Sequence, residues 1–180
     1  MKTKKLTYMA LMVGYSLILY ILESYIPNPL IAIFPGAKLG LTNIITLTCL
    51  VIFGFKDTFI ILSIRILMSS IFAGPISYLM FSIVGGYLSL FFMTGALQLK
   101  KFSLIGVSVL GAIGHNIGQL IVAGLIIKNA MIFSYLPYML IASIITGVFV
   151  GITSKYMVNK MPYISKTFVD IKGKTLLKYK

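Results

Sequence analysis

The chain has 180 residues, 59% of them hydrophobic, and a mean hydropathy of +1.02. Only 11% are charged, against the roughly 25% with which a soluble domain covers its surface, so a single water-soluble domain is excluded. The net charge of +13 sets 16 Lys and Arg against Glu23, Asp57 and Asp170. In a soluble protein that balance would point to nucleic acid. In so apolar a chain it marks topology at a membrane surface, with no nucleic-acid partner.

Taken in order, Lys2, Lys4 and Lys5 precede a first apolar stretch over 6–26. Its length, and the lack of a small-x-small site before Pro27, make it a retained helix rather than a signal peptide. Residues 27–38, with Pro27, Pro29, Pro35 and Gly36, cannot form a regular helix. A second span covers 39–55 and ends in Lys56-Asp57. The next 40 residues, 58–97, are apolar. One helix of that length would be about twice as long as the hydrocarbon core is thick, so Gly74-Pro75 divides it into spans at 58–74 and 75–97. Lys100-Lys101, a fifth span at 102–127, Lys128-Asn129 and a sixth at 130–158 complete an all-α integral membrane protein of six transmembrane helices. No internal repeat is visible.

With the N-terminus inside, thirteen basic residues fall on the cytoplasmic side and two, Lys38 and Lys128, outside, with Arg65 within a span. The excess orients both termini toward the cytoplasm of a prokaryotic-type cell membrane. The basic tail, 159–180, carries Ile164, Phe168 and Ile171 at helical spacing, and reads equally as an interfacial helix or a disordered extension. Small residues recur four apart at Ala10/Gly14, Gly114/Gly118 and Gly147/Gly151, which serve either packing within the bundle or docking of another membrane subunit.

Ionisable and amide side chains within spans mark cavities or partners. Arg65 falls near a midplane. His115 and Gln119 share one helix face, with Asn116 beside them. Asn43 and Lys38 lie at the outer end of the second span, and Glu23 closes the first. By helix rise, Glu23 is expected to lie more than about 10 Å above Arg65, leaving the guanidinium to carbonyls, water or an anionic ligand. Lys38 either pairs with Glu23 or faces a ligand, and His115 is either a satisfied interhelical group or a ligand contact. These groups gather in the outer half of the bundle beneath the segment 27–38, the layout of a small-molecule site with a lid.

Other chemistries lack their residues. One His and the single Cys49 do not make a zinc site, and no cofactor is indicated. No carboxylate pair is placed for acid–base catalysis, so the chain reads as not an enzyme. Gly173-Lys174-Thr175 imitates a phosphate-binding loop, but Phe168 stands where the motif needs glycine.

The strings Glu-Ser-Tyr-Ile-Pro at 23–27, Pro-Gly-Ala-Lys-Leu-Gly-Leu-Thr-Asn at 35–43 and Gly-His-Asn-Ile-Gly-Gln at 114–119, with Arg65, resemble the Gx transporter family. That family is also described as heptaprenyl diphosphate synthase component I. The resemblance spans about residues 8–158. The family is in turn similar to the substrate-binding S-components of energy-coupling-factor (ECF) transporters, six-helix proteins capped by the loop after their first helix. It implies a membrane domain over 1–158 with a lid at 27–38, and docking through Ala10 and Gly14 on a coupling subunit served by two ATPases. Substrate would be held by Lys38, Asn43, Arg65, His115, Asn116 and Gln119. The substrate expected is small and anionic, or like an isoprenoid or quinone precursor. The alternative is a non-catalytic membrane component of heptaprenyl diphosphate synthase. Prenyl transfer needs Mg²⁺ held by aspartate-rich motifs, and this chain has only Asp57 and Asp170.

Overall fold

A computed structural model describes residues 2–26, 39–72 and 76–161. Among them the chain forms six α-helices: α1 (Lys2–Ser24), α2 (Asn43–Phe53), α3 (Phe55–Phe72), α4 (Ile76–Leu99), α5 (Leu104–Ile127) and α6 (Leu136–Lys160). A 3-10 segment at Ala130–Tyr135 leads into α6. The proline-rich segment 27–38, the Gly74-Pro75 break and the tail beyond Met161 lie outside the described residues.

Among the described residues four helices are long and apolar enough to cross a membrane: Thr3–Ser24, Tyr78–Leu99, Leu104–Ile127 and the run Ala130–Lys160. Of the six spans expected, those at α2 and α3 are not among these four. The second span, expected over 39–55, is a helix of 11 residues, about 16 Å at 1.5 Å per residue, roughly half the hydrocarbon thickness. It ends because Gly54 adopts φ +81°, a left-handed value that only glycine takes up readily. The chain restarts at once as α3, whose 18 residues include Lys56, Asp57 and Arg65. Asp57 sits in the first turn of α3, where a carboxylate suits the positive end of the helix dipole, and its Oδ1 pairs with Lys5 Nζ at 2.7 Å. The N-terminal ends of α1 and α3 therefore share one end of the molecule.

All eleven residues of α2 are buried. Around it α1 packs on α3, α4 runs along α5, and α5 along α6. Ser154 of α6 donates to the Ile44 carbonyl at 3.1 Å and ties α6 to the central helix. The outside is apolar instead: Leu11, Tyr15, Ile18 and Leu22 face outward from α1, as do Ile141, Ile145 and Phe149 from α6. Buried among the helices are Glu23, Asn43, Arg65, His115, Asn116 and Gln119. Apolar outside with ionisable groups inside is the arrangement of a multi-pass membrane protein.

The small-residue pairs divide. A Cβ at Gly118 would stand 2.8 Å from Cα of Gly85, and one at Gly147 2.6 Å from Cα of Val109, so these glycines let α5 approach α4 and α6 approach α5. A Cβ at Gly14 would meet nothing within 4 Å, and Ala10 is exposed. Gly118→Ala is therefore expected to lower the melting temperature in detergent, at a cost of about 1–3 kcal/mol from overpacking. Gly14→Ala should leave it unchanged or raise it, since alanine favours a helix interior by up to about 1 kcal/mol.

Candidate functional site

The last turn of α1 ends on a buried carboxylate. Glu23 accepts the backbone N–H of Gly40 at 2.6 Å and of Leu41 at 3.1 Å. Gly40 lies at φ +83°, a conformation that again suits glycine. The chain returning from 27–38 is thus fastened to α1 just before α2 begins. Thr42 follows, and its hydroxyl accepts from Arg65 Nη1 at 3.3 Å. Arg65 is 3% exposed. Glu23, Tyr20 and Tyr87 lie in its electrostatic neighbourhood. Tyr20, also on α1, has Ser69 and Ser82 near its hydroxyl.

Gly85 of α4 makes room for the imidazole: a Cβ there would lie 3.0 Å from His115 Nδ1, whereas one at Gly86 would make only ordinary contact with Arg65 Nη2 at 3.5 Å. On the opposite side, a Cβ at Gly40 would lie 3.0 Å from Asn43 Nδ2 and 3.2 Å from His115 Cδ2. The imidazole is therefore held between Gly40 and Gly85. One turn along α5, Gln119 Nε2 lies 3.0 Å from His115 Nε2. Asn43, Arg65, His115 and Gln119 are thus brought together, as their sequence positions suggest.

Asn116 is not part of this group. Successive helical residues are about 100° apart, and Asn116 faces α6, where its Nδ2 donates to the Met139 carbonyl at 3.1 Å and to Ser143 Oγ at 2.8 Å. It ties two helices. Lys38 and the lid residues Pro27, Pro29, Pro35 and Gly36 lie outside the described residues. Glu23 and Arg65 meet the same turn, Glu23 through the N–H groups of Gly40 and Leu41 and Arg65 through the Thr42 hydroxyl.

Glu23 as an acceptor of backbone N–H groups, Thr42, Tyr20 and the Gly85-Gly86 pair were not legible as site residues. The glycine pair was visible as the one adjacent Gly-Gly in the chain. A search for glycines four apart passes over it.

The site keeps unmet hydrogen-bonding capacity. Arg65 Nε, Asn43 Oδ1 and Gln119 Oε1 are buried with no hydrogen-bond partner among the described residues. Each such atom costs about 1–3 kcal/mol if left unsatisfied, and a bound polar molecule would recover part of that. Among the described residues no three of His, Cys, Asp or Glu converge on a possible metal position.

A bundle with an apolar exterior and a buried polar centre of this kind defines a polytopic membrane protein with a candidate small-molecule site. Residues 12–157 match the family described as heptaprenyl diphosphate synthase component I; the match covers most of the chain, which belongs to that family. No curated protein and no solved structure matches the chain. That family match does not extend to ECF S-components.

The electrostatic link between Glu23 and Arg65 can be measured by a double-mutant cycle. Glu23→Gln and Arg65→Gln should each destabilise the protein by about 3–5 kcal/mol, since each leaves a buried charge uncompensated. Together they should cost less than the sum, with a coupling of about 0.5–3 kcal/mol by thermal or denaturant unfolding in detergent. Additive losses would show that the two charges do not act on each other.

Proposed function

We propose that this chain is a non-catalytic membrane component that works with a heptaprenyl diphosphate synthase and holds a polar-headed small molecule in the cluster around Arg65. The single observation that carries the reading is the family match over 12–157, which takes in almost all of the helical part. A non-catalytic role is supported by the aspartates: Asp57 is engaged with Lys5, far along α1 from Glu23, and hard oxygen ligands for Mg²⁺ would have to come from a partner. The catalytic step is therefore assigned to a separate soluble subunit. The basic residues at the Lys5–Asp57 end, Lys4, Lys56, Lys100 and Lys101, would face the cytoplasm under the positive-inside rule. Both termini would lie there in a six-helix bundle of the cell membrane, with α2 and α3 completing the crossings.

A second reading is the substrate-binding subunit of an ECF-type uptake transporter. The unmet polar atoms of Arg65, Asn43 and Gln119 favour it, because a ligand carrier has reason to keep buried groups unsatisfied when empty. In it, 27–38 would close over the ligand, and Ala10 and Gly14, open on α1, would meet a coupling subunit.

The test is a tagged purification from native membranes in mild detergent, with the bound proteins identified by mass spectrometry. The first reading expects a prenyl diphosphate synthase catalytic subunit, and a several-fold fall in membrane-associated synthase activity when this chain is deleted. A coupling subunit with two ATPases, and unchanged synthase activity, would replace it with the second reading.

A further inference from the structure

The imidazole of His115 stands between two walls of different kinds. On one side Gly85 lies against the Nδ1–Cε1 edge: a Cβ there would stand 3.0 Å from Nδ1 and 3.1 Å from Cε1. That wall is fixed. Gly85 lies within α4, and a Cβ at Gly118 of α5 would come within 2.8 Å of its Cα. On the other side Gly40 lies against the Cδ2–Nε2 edge, where a Cβ would stand 3.2 Å from Cδ2 and 3.5 Å from Nε2. Gly40 precedes α2 and belongs to no helix.

What fastens the second wall to another helix is a side chain. Within the turn, the Asn43 N–H donates to the Gly40 carbonyl at 2.9 Å and the Ile44 N–H to the Leu41 carbonyl at 3.0 Å. These bonds shape the turn and would travel with it. The attachment to α1 comes from Glu23, whose two carboxylate oxygens take the N–H groups of Gly40 at 2.6 Å and Leu41 at 3.1 Å. Hydrogen bonds to a charged acceptor are about twice as strong as neutral ones. Arg65 meets the same turn through Thr42 at a longer 3.3 Å. Without the carboxylate, Gly40 keeps its place on α2 and loses its place on α1.

We propose that Glu23 is a positioning residue for the candidate site, and that the turn 40–42 is a strap over His115. Fastened by Glu23, the strap seals the Cδ2–Nε2 edge of the imidazole. Released, it uncovers that edge while the α4 wall stays in place. It thereby controls access to His115 Nε2 and to the Gln119 amide that meets it at 3.0 Å. This goes beyond the reading of the cluster as a ligand site, because it concerns the way in and can be tested with no ligand.

The chain has one histidine and one cysteine, so two reactive groups can be followed in one protein. The purified full-length chain in detergent is treated with diethyl pyrocarbonate, which acylates an accessible imidazole nitrogen. A parallel sample receives N-ethylmaleimide for Cys49, which is 0% exposed within α2 and reports general loosening. Peptide mass spectrometry locates both products. In wild type both groups are expected to react slowly. Glu23→Gln should speed acylation of His115 by about tenfold, since the rate follows the open population, while Cys49 stays protected. Asn116→Ala, which removes a tie between α5 and α6 and leaves the strap alone, should leave His115 slow. An unchanged His115 rate in folded Glu23→Gln would overturn the proposal. So would Cys49 reacting in step with His115, or an equal acceleration in Asn116→Ala, because either marks loosening of the whole bundle. If Glu23→Gln does not fold, Glu23→Asp takes its place, with the carboxylate drawn back by one methylene and the same outcomes deciding.

Discussion

The structure is organised around the burial of one guanidinium. A charge held in an apolar interior needs both an opposing charge and hydrogen-bond acceptors close by. Here these come from different parts of the chain. Glu23 lies at the end of α1 and Thr42 in the turn before α2, while Arg65 itself projects from α3. Arg65 thus helps to draw together segments that the apolar pattern alone would leave free to rotate. Leucine and isoleucine faces are interchangeable in lipid. A buried arginine is not, so it fixes which faces turn inward.

Glycine performs the complementary task. Gly85 receives His115 on one side and lies against Gly118 on another, so a single position on α4 permits both the close approach of α5 and the seating of its imidazole. Gly40 does the same from the loop side while presenting its N–H to Glu23. Packing and site are thus one arrangement: the contacts that bring the helices together also shape the polar centre. Asn116 shows the division of labour along α5. Its neighbour His115 faces the centre, while Asn116 holds α6 through Ser143 and Met139.

Much of this was legible in the sequence. Hydrophobicity and Lys placement located the helices to within a few residues, because apolar length and flanking charge are what a membrane span requires. Asn43, Arg65, His115 and Gln119 stood out because polar groups are conspicuous in such surroundings. The length of α2 was not legible. Leu39 and Leu41 extend the apolar run ahead of the helix, and what ends α2 is the backbone angle of Gly54, which composition does not reveal. The partnership of Glu23 with the Gly40 and Leu41 N–H groups was hidden for a related reason. It joins a side chain to backbone 17 residues away through a turn, and no periodicity records such a contact. Asn116 misled because proximity in sequence is not proximity on a helix face.

The complete burial of α2 has a consequence for how the protein is made. A helix with no face for lipid, and only about half the bilayer thickness in length, has no stable resting place beside an empty membrane. It needs α3, α4 and α6 around it, and of these α6 is made last. Insertion of the outer helices and burial of α2 must then be separate events, the second waiting on the synthesis of α6. Until α6 closes over Ile44, the nascent chain holds an unsheltered inner segment, and this interval is when quality-control proteases would find it.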